Sequence, residues 1–83
     1  MTTSVRNQVL AIVKRVLKRE EIPENVDFFD LGASSLAVIQ IVELVRKECD
    51  SEVWITDAFD AADIAAFAEL AEQGVRSGAS ATK

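Results

Sequence analysis

Between positions 35 and 48 apolar residues recur at helical spacing, and this pattern constrains the chain more than any other. At about 100° per residue, Val38, Ile41, Val42, Val45 and Cys49 share one face, and Leu36, Gln40, Glu43 and Lys47 share the opposite one. Ala37 and Leu44 fall on one flank, Ile39 and Arg46 on the other. The first set is expected to be buried and the second wet. A helix with one apolar stripe needs other elements to cover it, so the rest of the chain has to supply them.

Three further segments can. Residues 4–19 read as a helix, with Val5, Val9, Ile12, Val13, Val16 and Leu17 at helical spacing and Ser4 or Thr3 as N-cap. A short helical turn around Asp57–Phe59, capped by Thr56, follows an apolar island of Val53, Trp54 and Ile55. A last helix starts at Asp60 as N-cap, with Asp63 at its third position as in a capping box. Its inner face is Ile64, Phe67, Ala68 and Ala71, and Gly74 ends it. Residues 20–33 lack a clean period, and Pro23 forbids a helix through them. Yet Ile22, Val26, Phe28, Phe29 and Leu31 are apolar, so this loop is expected to lie on a core. The result is an all-α fold, a small four-helix bundle of three long helices and one short one with a long first loop. It spans 1–76, with 77–83 as a flexible tail. No strand pattern or internal repeat is visible.

Composition narrows the chemistry. The chain has 83 residues, no His and one Cys. This excludes internal disulfides, the usual zinc clusters and His-based triads. Cys49 lies on the buried face without a His to activate it, and reads as a small core residue. No apolar run approaches the ~20 residues of a membrane span. The N-terminus has no signal-peptide pattern, so a cytoplasmic protein is expected. The net charge of −5 divides into +5 over residues 1–19 and −10 over residues 20–83 (14 acids, 4 bases). Such acidity argues against nucleic acid and is compatible with basic protein partners. The basic first segment could suit a membrane or nucleic acid, but cations near a helix end also complement its dipole, which is the simpler reading.

Asp27-Phe28-Phe29-Asp30-Leu31-Gly32-Ala33-Ser34-Ser35-Leu36 is the most informative stretch. It joins an apolar loop to a helix start through a glycine. One serine is explained as the helix cap. The other is left in the first turn, beside unpaired backbone N–H groups, where a phosphodiester would meet the positive end of the helix dipole.

The segment from Asp27, with the helix to Glu48, resembles the phosphopantetheine site of acyl and peptidyl carrier proteins. The family pattern is Phe-x-x-Leu-Gly, two residues, then Ser-Leu, and Phe28, Leu31, Gly32, Ser35 and Leu36 match it. The order of helices resembles the family over nearly the whole chain. The resemblance implies that Ser35 carries 4'-phosphopantetheine, moved from coenzyme A by a phosphopantetheinyl transferase, and that the terminal thiol holds an acyl or aminoacyl thioester. It implies a non-catalytic carrier; because the sequence holds nothing beyond the domain a free-standing carrier is expected, and a monomer is the default for so small and charged a bundle. An adenylating ligase would load it in trans, and an acyltransferase, ketosynthase or tailoring enzyme would unload it. Ser34 is the alternative acceptor, disfavoured because the family's serine directly precedes the Leu.

Two features depart from the family's fatty-acid branch. That branch usually has Asp before the modified serine, where this chain has Ser34. Its serine-headed helix is strongly acidic outside, where this one shows Leu36, Ala37, Gln40, Glu43, Arg46 and Lys47, one acid against two bases. These residues are the expected partner-recognition face, read by shape and apolar contact, with a plain solvated face as the alternative. Polyketide or nonribosomal peptide pathways are therefore expected, with an aminoacyl cargo favoured. A fatty-acid or D-alanyl carrier and an unmodified helical adaptor are the alternatives. Trp54 is expected in the core. Its functional alternative is to flank the arm or a docked partner with Ile55 and Phe59. Phe28 and Phe29 are expected to anchor the loop, one of them bordering the cargo.

Overall fold

A computed structural model gives the fold and describes residues 4–75. The expected tail at 77–83 and the alternative cap Thr3 lie outside the described residues. Four helices are present: α1 (Val5–Leu17), α2 (Ser35–Glu48), α3 (Ile55–Asp60) and α4 (Ile64–Gln73). The all-α bundle with one short helix is as expected.

Each start has a local cause. Ser4 Oγ accepts the Asn7 N–H at 3.1 Å to open α1, and Ser34 Oγ accepts the Ala37 N–H at 3.2 Å to open α2. α1 ends with Lys18 in the left-handed region at φ 58°. The end of the chain departs from expectation. Asp60 does not cap α4 but is the last residue of α3, and Asp63 is the cap, its Oδ1 accepting the Ala66 N–H at 2.8 Å. Thr56 lies inside α3 rather than capping it. The Asp57 carboxylate instead accepts the Trp54 N–H at 2.8 Å, one half of a capping box.

α1, α2 and α4 enclose the core. Val9, Ile12 and Val13 from α1 meet Val38, Ile41, Val42 and Val45 from α2 and Ile64, Phe67, Ala68 and Ala71 from α4. The long loop is fastened to this core. Phe28 is buried and meets the Phe67 ring edge-on, with centroids 5.3 Å apart. The loop carbonyls of Val26 and Glu24 accept the Ile64 and Ala65 N–H groups at 2.9 Å, satisfying donors that the start of α4 leaves open. Arg6 reaches Glu24 at 2.6 Å.

Beyond α2 the chain forms a contact that periodicity did not reveal. Ser51 is fully buried and donates to the Ala71 carbonyl at 2.8 Å. An isolated antiparallel bridge joins Ser51 to Val75, with the Glu52 N–H on the Gly74 carbonyl at 2.9 Å. Gly74 fits closely there: a Cβ would stand 3.1 Å from Ser51 Oγ and 3.3 Å from the Glu52 nitrogen, so these neighbours would have to give by a few tenths of an ångström.

Candidate functional site

The turn before α2 is fixed at both ends by the core. Phe28 and Ala33 are buried, and the Ala33 N–H bonds back to the Phe28 carbonyl at 3.1 Å. The Leu31 N–H also reaches the Phe28 carbonyl, the Gly32 N–H reaches that of Phe29, and Asp27 Oδ1 accepts the Asp30 N–H at 2.7 Å. Gly32 sits at φ +88°, where an L side chain is strained even though a Cβ would meet nothing within 4 Å. Backbone conformation, not crowding, demands glycine there.

This turn delivers Ser34 and Ser35 to the surface in different states. Ser34 Oγ is engaged as the cap and the Ser34 carbonyl accepts the Val38 N–H. Ser35 is exposed at the first position of α2, and its hydroxyl has no hydrogen bond among the described residues. The N–H groups of Ser35 and Leu36 have no acceptor among them either. The first turn of α2 contains no acid. The positive end of its dipole is therefore not compensated from within the helix. An exposed hydroxyl beside two open donors suits an attached anionic group.

The flanking residues sort as follows. Leu36 is 64% exposed, and Gln40, Glu43 and Lys47 are exposed with it. Ala37, Ile39, Leu44 and Arg46 are half-buried, as expected of flanks. Trp54 corrects the expectation of a core residue: it is 54% exposed, and the Arg46 guanidinium carbon lies 4.1 Å from its ring centroid. The aliphatic positions around it fill the core, and its indole is left outside, where a cation can cover one face. Ile55 is half-buried against the core. The Phe pair divides, Phe28 inward and Phe29 outward, where Phe29 stacks on Phe59 at 5.7 Å with 11° between planes. Nothing in the spacing relates 29 to 59, so that contact had no sequence signal.

Cys49 is buried, and its Sγ–H donates to Gln8 Oε1 at 3.2 Å. Burial, with help from Glu48, raises its pKa above the ordinary thiol value, so at neutral pH it is a protonated core residue. Among the described residues no enclosed cavity opens, no His, Cys, Asp and Glu gather to hold a metal ion, and no helix is long and apolar enough to cross a membrane.

Fold and turn together give a small helical domain with an exposed serine at the head of α2 and, among the described residues, no enclosed cavity. A family model described as "phosphopantetheine attachment site" matches residues 7–71. The chain is 34% identical over 67 residues to polyketide synthase PksN of Bacillus subtilis (strain 168), and 33% identical over 76 residues to tyrocidine synthase 2 of Brevibacillus parabrevis. It is 35% identical over 68 residues to phenyloxazoline synthase MbtB of Mycobacterium sp. (strain MCS). These alignments cover 81%, 92% and 81% of this chain but only 1%, 2% and 6% of the respective relatives. No solved structure gave a significant match. The chain belongs to the phosphopantetheine-attachment family, whose members bear 4'-phosphopantetheine covalently and work as carrier domains with partner enzymes.

Proposed function

We propose that Ser35 is the attachment residue and that the domain carries an acyl or aminoacyl intermediate as a thioester in polyketide or nonribosomal peptide metabolism, aminoacyl being favoured. The observation that supports this is the unengaged Ser35 hydroxyl at the uncompensated start of α2. When bound, the phosphopantetheine supplies the thiol that holds the cargo. The residues supply the rest. Ser34 keeps the helix start closed by its cap bond. Gly32, Phe28 and Ala33 hold the turn against the core, so that the Ser35 side chain points from a fixed base. The Ser35 and Leu36 N–H groups are placed to donate to phosphate oxygens. In this reading the domain performs no catalysis. A phosphopantetheinyl transferase modifies it, an adenylating ligase loads it, and an acyltransferase or ketosynthase receives the cargo. Dependence on coenzyme A places that work in the cytoplasm.

Incubation with coenzyme A and a broad-specificity transferase, read by intact mass, tests the site. The wild type and Ser34→Ala gain one phosphopantetheine and Ser35→Ala gains none. Gain by Ser35→Ala with loss in Ser34→Ala would move the site by one residue, and no gain in any form would favour an unmodified adaptor. Cargo mass on protein isolated from the native host separates an aminoacyl from a plain acyl carrier, including the fatty-acid and D-alanyl alternatives. The size of the protein in the same extract separates a discrete carrier acting in trans from a domain of a longer chain.

A further inference from the structure

Of the six residues of α3 only Ala58 is buried, so much of what holds this helix lies outside it. The chain leaving it is fixed at Ile64, whose N–H donates to the Val26 carbonyl at 2.9 Å. The chain entering it is fixed by the far end of α4. Asp50 takes the left-handed region at φ 52°, a conformation that a non-glycine residue keeps only where its surroundings hold it. Ser51 follows, fully buried, and its hydroxyl donates at 2.8 Å to the Ala71 carbonyl, which the Gly74 N–H also reaches at 3.2 Å. The Glu52 N–H then donates to the Gly74 carbonyl at 2.9 Å. Only Val53, itself buried, stands between this pairing and Trp54, the cap of α3. A buried hydroxyl stripped of its acceptor is costly. Ser51 therefore leaves Ala71 only by moving out to water, and Glu52, Val53 and the start of α3 move with it.

We infer that residues 51–52 and 74–75 form a strap that locks α3: the helix leaves the core only when the strap opens, with α1, α2 and α4 still together. The strap is a discrete element, since the pairing of Ser51 with Val75 is either made or broken. One side of it is the chain that leaves α4. Drawing that chain away from Glu52 releases α3 from a distance, and holding it there keeps α3 docked. The strap belongs to the bundle with or without a group on Ser35, so it stands apart from the carrier reading.

Amide exchange at Ala58, Phe59 and Asp60 in the full chain, followed by nuclear magnetic resonance, tests the strap. Ser51→Ala weakens it by one neutral hydrogen bond and should speed exchange in α3 about fivefold. Ile12→Val, in the core between α1 and its neighbours, lowers the midpoint to a similar degree and should leave the α3 rates within a factor of about two. A converse variant closes the strap. The Glu52–Gly74 bond runs from the residue after Ser51 to the residue before Val75, so these two are a non-hydrogen-bonded antiparallel pair. Such pairs hold their Cα atoms about 4.5 Å apart, within disulfide range. Ser51→Cys with Val75→Cys, in a Cys49→Ala background, should crosslink under a mild oxidant and slow α3 exchange about tenfold against the same protein reduced. This arm stays informative if Ser51→Ala proves unstable. Failure to crosslink would remove the paired geometry. Exchange in α3 that the crosslink leaves unchanged would show that the helix opens with the strap closed. Exchange that Ile12→Val speeds as much as Ser51→Ala would show that α3 opens only with the whole bundle. Each of the three overturns the inference.

Discussion

α3 and α4 follow one another in the chain but are held by opposite means. α4 has ten residues, and Ile64, Phe67, Ala68 and Ala71 are wholly out of solvent. The loop carbonyls of Glu24 and Val26 close its start, and the Ser51 hydroxyl grips its last turn. α3 has six residues and buries one of them, Ala58. Its aromatic side chains face outward, Phe59 stacked on Phe29 and Trp54, at its cap, under Arg46. α4 is part of the core, whereas α3 is attached to the core's surface largely by contacts that water also reaches. On the proposed reading both kinds of helix serve a carrier: α4 belongs to the core on which the serine-headed α2 packs, and α3 leaves aromatic side chains exposed.

The largest expected effect lies on α4. Phe67→Ala removes a wholly buried ring and its edge contact with Phe28, and such truncations cost about 3–5 kcal/mol. A small domain has only about 5–15 kcal/mol in all. Thermal unfolding followed by circular dichroism should show a drop of roughly 4–8 °C per kcal/mol lost, so the variant is at or near unfolding in ordinary conditions. A drop of a few degrees only would show that α4 is not the firm element described.

Ser51→Ala comes next. It removes the hydroxyl that donates to Ala71, at about 1 kcal/mol for a buried neutral hydrogen bond. The helices remain, so the far-ultraviolet spectrum at low temperature is unchanged and only the midpoint falls. Cys49 sharpens the same region through pH. Burial raises its pKa in the folded state, so the thiol is neutral in both states below the ordinary value and contributes no pH dependence there. As pH rises past about 9 the unfolded chain loses the proton first and folding stability falls. Cys49→Ala should flatten that alkaline limb in urea titrations, and an unaltered limb would assign it to other groups.

The contrast between the two helices also explains what could be read from the chain. On α2 the buried set, the exposed set and the half-buried flanks all follow from 3.6-residue periodicity, because that helix packs one stripe on a closed core. The Phe-x-x-Leu-Gly spacing likewise located the turn, since Gly32 must take a positive φ and Phe28 must reach the core. Beyond residue 49 the legibility falls. Asp60 and Asp63 are both acceptable caps by type, and only the loop carbonyls that meet Ile64 and Ala65 decide for Asp63. Trp54 has the hydrophobicity of a core residue, but its neighbours Val53 and Ala58 are the buried ones and its indole stays exposed. Ser51 has the composition of a loop and is buried only because Ala71, twenty residues away, offers a carbonyl. The cap at Asp63 and the burial of Ser51 were decided by partners distant in sequence, which no local pattern encodes.

The smallest stability effects belong to α3, and they are the sharpest test of the contrast. Phe59→Ala deletes a stack between two exposed rings, a pair worth about 0.5–1.5 kcal/mol beyond area burial in general and at the low end when water already reaches it. Trp54→Ala deletes a cation–π contact worth about 0.5–1 kcal/mol at an exposed site. Each should shift the midpoint by a few degrees and leave the proposed phosphopantetheine attachment at Ser35 intact by mass. Protection from hydrogen exchange should fall within α3 and remain in α4, because the two contacts fasten α3 without supporting the core. If either variant unfolded the domain as Phe67→Ala is expected to, the outer aromatics would be structural pillars, and their exposure would then owe nothing to partner recognition.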